Sequence, residues 1–366
     1  MGSTITQTIA PAHVLRGEGL WPEALDRIAS LGRQPLVLGR SAATASIRTS
    51  LLEQLGGSGL SPMAAELGHD CCEQDLALIE KLPELPSCDL VIACGGGKVL
   101  DAGKLLADRL ELPCVTVPTS AATCAGWTAL ANLYSPGGAF IRDVALRRCP
   151  DLLLFDHSIV GQAPARTLAS GIADAMAKWY EASVSSGGSE DGLVQQAVQM
   201  ARILRDQLLL EGQEAMGNPG GAAWRRVAEA SALTAGLIGG LGGARCRTVA
   251  AHAVHNGLTQ LQACHGSLHG EKVGFGVLVQ LRLEELVAGN RLAAQARRQL
   301  LPFFRHLGLP LNLGDLGLGS ASLSDLHAVC AFACRPDSDL HHLPFRVTPD
   351  DLLAALVSTT AVQQTA

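Results

Sequence analysis

Short apolar runs alternate with amphipathic helical patterns over the first 120 residues, and this alternation constrains the fold most strongly. Three runs are predicted strands: Pro35–Gly39, Asp89–Ala93 and Cys114–Val117. Helical patterns cover Pro22–Leu31 and about residues 100–110. Strands that are apolar throughout are buried on both faces, which is typical of a parallel sheet covered by helices. The sequence therefore predicts an α/β domain of the nucleotide-binding type.

The second half of the chain has a different pattern. From about Pro164 onward, long Ala-, Leu- and Gln-rich helical stretches follow one another without strand signals. A chain of 366 residues is long enough for two domains. We therefore predict a nucleotide-binding domain at residues 1–160 and an all-helical domain at residues 161–366.

Composition excludes several classes of protein. A hydrophobic share of 48% and a net charge of −6 exclude a disordered chain. Twenty-eight Lys and Arg residues against 34 Asp and Glu residues leave no basic surface for nucleic acid. The longest uncharged apolar stretch, Ala230–Ala244, is Gly-rich and shorter than the ~20 residues of a membrane span. We expect neither a nucleic-acid partner nor a membrane partner.

The cysteines and the first residues bear on localisation. Eleven cysteines, an odd number at irregular spacing, argue against a disulfide framework and for a reducing compartment. The N-terminal residues lack the basic start and apolar core of a signal peptide. Gly2 and Thr6 match a short myristoylation pattern, which alone does not predict a lipid. We therefore predict a cytoplasmic protein.

A glycine turn follows the second predicted strand. Gly95, Gly96, Gly97 and Lys98 come directly before a predicted helix whose first turn contains Asp101. Glycines let backbone N–H groups approach a phosphate, and the helix N-terminus favours negative charge. The pattern is neither G-x-G-x-x-G nor a P-loop. It predicts either a phosphate-binding turn, which we favour, or a tight strand-to-helix turn.

Three separated segments supply residues that suit a metal. Asp174 lies in an apolar helical stretch, and His252 and His255 share one helix face. His269 follows His252 by 17 residues and must lie on another element. One carboxylate and two imidazoles would form an open site for Zn²⁺ or Fe²⁺. Spacing alone favours the alternative that these are unrelated polar residues on helix surfaces.

Several motifs together resemble a known family. The segments GGGK-x-x-D, VPT-x-x-x-T, GIADAMAKWYEA, AHAVHNGLT and HGEKVGFGVLVQL resemble the iron-containing (group III) alcohol dehydrogenases, in their glycerol dehydrogenase-like branch. Thr123–Leu130 and Asp339–Leu352 are most similar to the hydroxycarboxylate dehydrogenase subgroup. The resemblance runs from about residue 35 to 355. It implies a Rossmann-like nucleotide-binding domain and a helical metal- and substrate-binding domain, the fold shared with dehydroquinate synthase.

The resemblance also implies roles for individual residues. Its metal ligands fall on Asp174, His252 and His269, and a proton-relay histidine falls on His255. His341 is a further catalytic candidate, with a solvated loop histidine as the alternative. NAD or NADP is the implied cofactor, together with one divalent metal, Zn or Fe. The implied cofactor-binding residues are Gly95, Gly96, Gly97, Lys98, Asp101, Thr119, Thr123, Thr128, Leu130 and Tyr134.

Two positions depart from the family pattern. Cys124 stands where glycerol dehydrogenases carry an Asp that binds polyol hydroxyls. Loss of that carboxylate favours an anionic substrate and makes Cys124 a candidate substrate contact, with a small filler as the alternative. Arg40 stands where NAD-using relatives tend to carry an acidic residue. An Arg there can pair with a 2′-phosphate and predicts NADP(H), unless it is a solvated surface residue.

These observations predict an NAD(P)- and metal-dependent oxidoreductase that interconverts a small 2-oxo acid and its 2-hydroxy acid. The first alternative is a glycerol, polyol or primary-alcohol dehydrogenase. A lyase similar to dehydroquinate synthase would need more basic residues around a phosphorylated substrate. A non-catalytic binding protein would not need Asp174, His252 and His269. We also expect a homo-oligomer.

Overall fold

Six parallel strands form the main sheet in the computed structural model, which describes residues 6–360. The spatial order is β1-β8-β5-β4-β2-β3, and a separate antiparallel hairpin pairs β6 with β7. The strands are β1 (His13–Gly17), β2 (Pro35–Gly39), β3 (Met63–Glu66), β4 (Leu90–Gly95), β5 (Cys114–Pro118), β6 (Leu130–Tyr134), β7 (Phe140–Ala145) and β8 (Leu152–Asp156).

The three predicted strands correspond to β2, β4 and β5. Every residue of these strands is buried, because side chains on both faces of the sheet are covered. The sequence analysis did not indicate β1, β3, β6, β7 or β8. The strands β1 and β3 carry exposed or partly exposed residues at a sheet edge, whereas β8 is buried throughout. The helices of this part are α1 (Trp21–Leu31), α2 (Ala45–Gly57), α3 (Glu73–Ile79), α4 (Gly97–Leu110) and α5 (His157–Val160).

From residue 165 to residue 360 the regular elements are helices. They are α6 (Ala165–Ser186), α7 (Gly192–Gly217), α8 (Ala222–Glu229), α9 (Ala235–Gly242), α10 (Ala250–Leu258), α11 (His269–Leu286), α12 (Arg291–His306), α13 (Leu323–Ala333) and α14 (Pro349–Ser358). Residues of α10, α11, α13 and α14 share one hydrophobic core. Among the described helices, none is long and apolar enough to cross a membrane. The predicted fold class, an α/β domain followed by a helical domain, is confirmed.

The described residues form two units. The first contains the chain up to Pro164 together with Ala232–Gly240, and the second contains Ala165–Ser231 and the residues from Leu241 onward. Ala232–Gly240 thus joins the first unit although it lies within the range assigned to the helical domain from the sequence. Gly236 accounts for this, since a Cβ there would lie 2.5 Å from the Trp127 side chain. Gly2 of the myristoylation pattern lies outside the described residues.

Candidate functional site

Asp174, His252 and His269 come together inside the helical unit. They lie on α6, on α10 and at the first position of α11, and one ligand atom from each lies within 4.8 Å of the others. Asp174 Oδ1 is 3.3 Å from His252 Nε2 and 3.6 Å from His269 Nε2. This oxygen is buried and has no hydrogen-bond partner among residues 6–360. A buried carboxylate oxygen without a donor is costly, so this donor set fits a divalent ion.

Lys178 sets the charge state of the Asp174 carboxyl. Burial alone would raise the pKa of Asp174, but Lys178 and the imidazoles of His252 and His269 hold it well below its ordinary value. Lys178 Nζ lies 3.9 Å from Asp174 Oδ1 and donates a hydrogen bond to the Arg247 carbonyl at 3.1 Å. Asp174 is therefore a carboxylate at neutral pH, which is the form that binds a metal.

Glu181 positions His252, and the sequence analysis assigned it no role. Its side chain is fully buried, and its Oε2 accepts a hydrogen bond from His252 Nδ1 at 2.6 Å. Its Oε1 accepts the backbone N–H groups of Val249 (2.7 Å) and His252 (3.0 Å). This arrangement places the proton on Nδ1 and leaves Nε2 free to face Asp174. The signal in the sequence was the spacing, because Glu181 lies seven residues after Asp174 on the same helix face.

A close contact between helices places His269. The backbone N–H of Gly270 donates to Ser170 Oγ at 3.0 Å, and a Cβ on Gly270 would overlap the Ser170 carbonyl oxygen. Only glycine lets the first turn of α11 approach α6 this closely. Glu271 accepts the backbone N–H of Leu268 at 2.7 Å and pairs with Arg166. These contacts hold the helix start that presents His269.

His255 lies against the same cluster. Its ring centroid is 4.2 Å from that of His269, and its Nδ1 is 2.9 Å from Asn256 Oδ1. Burial, followed by the charges of His269 and Lys272, lowers the pKa of His255 well below its ordinary value. The pKa of His255 therefore lies well below the ~6.5 of an unperturbed histidine. His255 is neutral at neutral pH, with Nδ1–H directed to Asn256 and Nε2 available as a base.

His341 is placed differently from the buried histidines. It is exposed, and its Nε2 lies 3.0 Å from the Arg335 carbonyl oxygen. The neighbouring His342 lies 3.2 Å from the Thr248 carbonyl oxygen, close to the start of α10. The catalytic role of His341 stays a prediction.

The glycine turn lies at the point where the strand order of the main sheet reverses. From β2 the chain continues to β3 on one side, whereas β4 lies on the other side of β2. In open α/β sheets, ligands bind at the carboxyl ends of the strands beside such a switch point. Arg40 follows β2 and Lys98 follows β4, and both pair with the carboxylate of Asp70. Asp70 was not singled out from the sequence.

The start of α4 is open where a phosphate would bind. Gly96 caps this helix without a side-chain hydrogen bond, and nothing lies within 4 Å of a Cβ built on it. A Cβ on Gly97 would lie 2.8 Å from Thr123 Oγ1. The residues present therefore fit a nucleotide phosphate held by backbone N–H groups at a helix N-terminus.

Lys104 contacts several of the predicted cofactor-binding residues, and the sequence analysis did not identify it. It is buried and lies 3.0 Å from Asp101 Oδ1. It donates to the carbonyl groups of Thr128 (3.0 Å) and Leu130 (2.5 Å). Asp101 also accepts the backbone N–H of Asn132 at 3.2 Å. Asp101, Thr128 and Leu130 therefore fix the start of β6 onto α4, and the only sequence signal was the i, i+3 spacing of Asp101 and Lys104.

The other predicted cofactor residues surround the turn. The backbone N–H of Thr119 donates to the Gly95 carbonyl at 3.0 Å. Lys98 Nζ lies 4.8 Å from the centroid of the Tyr134 ring. Cys124 is partly buried. The nucleotide-binding and substrate-binding roles of these residues stay predictions.

Comparison with known proteins gives the family. The model of the iron-containing alcohol dehydrogenase family matches residues 11–157. The chain is 53% identical over 360 residues to an uncharacterized oxidoreductase of Synechocystis, covering 98% of this chain and 93% of the relative. It is 35% identical to hydroxycarboxylate dehydrogenase A of Escherichia coli (89% of this chain, 88% of the relative). It is 33% identical to glycerol dehydrogenase of Pseudomonas putida (95% of both chains).

A solved structure agrees with these relatives. The crystal structure of a probable glycerol dehydrogenase from Sinorhizobium meliloti superposes with a TM-score of 0.82 at 28% identity, covering 96% of this chain and 97% of that one. Similarity over nearly the whole chain, with both parts of the fold reproduced, leaves one conclusion. The chain belongs to the iron-containing alcohol dehydrogenase family, in its glycerol dehydrogenase-like branch.

Proposed function

We propose that this oxidoreductase transfers a hydride between NAD(P)H and a small 2-oxo acid, forming the 2-hydroxy acid with the help of one divalent metal. Family membership supports oxidoreductase activity on an alcohol or carbonyl compound. The observation that supports metal dependence is the buried Oδ1 atom of Asp174. It has no hydrogen-bond donor among the described residues, and two imidazole nitrogens lie within 3.6 Å of it.

We assign separate roles in metal binding, orientation and proton transfer to residues of the helical unit. Asp174, His252 and His269 would hold the ion, which when bound would act as a Lewis acid toward the substrate oxygen. Glu181 keeps the Nε2 atom of His252 directed at the site. His255, neutral because of its low pKa, accepts a proton at Nε2 during alcohol oxidation and returns it during reduction.

Local charge supports an acid as the substrate. Lys178 and Lys272 are both buried in the helical unit. Burial is the main cause of the lowered pKa of His255 and of His269, and the positive charge of Lys272 adds to it. With a divalent ion bound, the positive charge of the ion, Lys178 and Lys272 exceeds the negative charge of the Asp174 and Glu181 carboxylates. A positive, poorly solvated site favours an anionic substrate. The relative named hydroxycarboxylate dehydrogenase A supports the same class.

Glycerol, another polyol or a primary alcohol is the second candidate substrate. The relative from Pseudomonas putida, named glycerol dehydrogenase, is similar over 95% of this chain. A neutral polyol would not need the excess positive charge around Lys178 and Lys272. The two candidates therefore differ in how strongly they depend on those lysines.

For the nucleotide, we propose NADP(H). Arg40 lies at the switch point beside Lys98, where a 2′-phosphate would compete with Asp70 for its guanidinium group. The cytoplasmic location, the homo-oligomeric state and the assignment of these functions to residues 1–160 and 161–366 stay predictions.

Steady-state kinetics test the substrate proposal. Protein loaded with Zn²⁺ or Fe²⁺ would be assayed with NADH and NADPH against 2-oxobutyrate, 2-oxoglutarate and, in the oxidative direction, glycerol. We expect the highest kcat/KM with a 2-oxo acid, and Cys124→Asp to shift preference toward glycerol, since it restores the carboxylate of glycerol dehydrogenases. Higher efficiency with glycerol in the unmodified protein would reject the acid and support the second candidate.

A further inference from the structure

A second group of metal-binding side chains lies in the connection between β3 and α3. His69, Cys72 and Asp75 follow one another at intervals of three residues. One ligand atom from each lies within 4.8 Å of the other two. All three belong to the first unit, whereas Asp174 belongs to the second.

The backbone brings the three side chains to one point. Cys72 is the last extended residue before α3, and Asp75 lies in the first turn of that helix. The Asp75 carboxylate accepts the backbone N–H of His69 at 2.6 Å and lies 2.8 Å from His69 Nδ1. Cys72 and Asp75 are buried, while the His69 side chain is 40% exposed. The cluster thus has an inner wall of sulfur and oxygen and an outer side open to solvent.

Asp75 is in the protonation state that binds a cation, whereas the Cys72 thiol must first lose its proton. Burial alone would raise the pKa of Asp75, but hydrogen bonds from the side chain and backbone of His69 lower it, so Asp75 is a carboxylate at neutral pH. Burial raises the pKa of the Cys72 thiol. Because a metal binds the thiolate form of cysteine, binding at Cys72 would release the thiol proton.

We propose that His69, Cys72 and Asp75 bind a second divalent metal, with Zn²⁺ the preferred ion. Imidazole nitrogen, thiolate sulfur and carboxylate oxygen are the ligand types that zinc takes, and three protein ligands leave a fourth position for water. Tetrahedral zinc holds nitrogen and oxygen ligands roughly 3.3 Å apart, given bond lengths of about 2.0–2.2 Å. His69 must therefore move only slightly away from Asp75, and its exposed side chain permits that movement.

Metal binding here would stabilise the neighbouring ion pairs. Asp70, the next residue after His69, pairs with Arg40 and Lys98 at the switch point. An ion fixed by His69 and Cys72 would hold the loop between them, and with it the Asp70 carboxylate.

Cobalt substitution tests the site directly. The full chain is stripped with a chelator and titrated with Co²⁺ while absorbance is recorded. The Asp174 cluster offers only oxygen and nitrogen ligands, so a near-ultraviolet thiolate-to-cobalt charge-transfer band reports the cluster that contains Cys72. We expect two equivalents of Co²⁺ per chain and this band.

Variants assign the band and keep the test independent of the proposed function. Cys72→Ser should abolish the charge-transfer band and the binding of one equivalent of Co²⁺. His69→Gln should weaken the binding of that equivalent without disturbing the buried core. Cys88→Ser, another buried cysteine of the same unit, should leave both unchanged. His269→Ala should lose the other equivalent and keep the band. Absence of the band in the unmodified protein, or its persistence in Cys72→Ser, would overturn the proposal and indicate a cluster held by hydrogen bonds alone.

Discussion

The charged residues of the Asp174 cluster (Asp174, His252 and His269) and those beside the glycine turn are stabilised in different ways. In the Asp174 cluster, Asp174 is buried and its Oδ1 has no hydrogen-bond partner among residues 6–360. Beside the turn, Arg40 and Lys98 share Asp70, and their side chains are about 40% exposed. Asp174 is ion-paired with Lys178, but its buried Oδ1 atom lacks a hydrogen-bond donor and therefore depends on a ligand, whereas the exposed ion pairs beside the turn are already satisfied and screened by water. Substitutions should therefore be far more damaging at the first region than at the second.

The largest effect should follow loss of a proposed metal ligand in the Asp174 cluster. We expect Asp174→Asn or His269→Ala to abolish turnover and remove the metal held there, because two remaining ligands cannot retain the ion. Metal analysis and activity assays measure this loss, and circular dichroism checks that the fold persists. His306→Ala, at an exposed histidine of α12, is the matched control. Normal metal content and activity in either ligand variant would show that the cluster is not the catalytic metal site.

A smaller effect is expected when Glu181 is changed. Glu181→Gln keeps the shape of the side chain but removes the charge that orients His252 Nδ1–H. Loss of such an outer partner typically lowers metal affinity about 10- to 100-fold. Competition with a fluorescent chelator would measure the affinity, with Glu214→Gln on α7 as an exposed control. Unchanged affinity would mean that Glu181 serves only to cap α10.

Gly270 tests whether helix contact sets the position of His269. Gly270→Ala would place a methyl group against the Ser170 carbonyl oxygen, so α11 must move. Such overpacking costs about 1–3 kcal/mol of the free energy of unfolding, and the displaced His269 should bind metal more weakly. Gly266→Ala, where nothing lies within 4 Å of the added Cβ, is the control for urea unfolding and metal titration. Equal stability of the two variants would contradict this account.

The smallest effect concerns Arg40 and the nucleotide. An ion-paired hydrogen bond to a 2′-phosphate contributes roughly 1.5–3 kcal/mol, but Asp70 already occupies the guanidinium, so we expect about a tenfold preference for NADPH. Arg40→Asp should erase or reverse the ratio of kcat/KM for NADPH and NADH. Arg33→Asp, at the other end of β2, should not alter that ratio. A preference for NADH in the unmodified protein would show that Arg40 does not bind the phosphate.

The sequence alone was sufficient for features that depend on near neighbours. The uninterrupted apolar runs of β2, β4 and β5 predicted buried parallel strands, since a strand's side chains alternate between two covered faces. The change to helical periodicity near Pro164 predicted the second part of the fold, and the motifs around Gly95, Asp174 and His252 identified the family. Each of these signals is local in the chain.

Only the tertiary structure decided which distant residues meet. It brought His269 to Asp174 through the contact of Gly270 with Ser170, joined Glu181 to His252, and placed Asp70 between Arg40 and Lys98. It also showed that Ala232–Gly240 belongs to the first unit, where Gly236 packs against Trp127. Sequence periodicity reports which face of an element is buried, but not which partner covers it. That choice depends on the packing of side chains far apart in the chain, where a single missing Cβ decides how closely two helices approach.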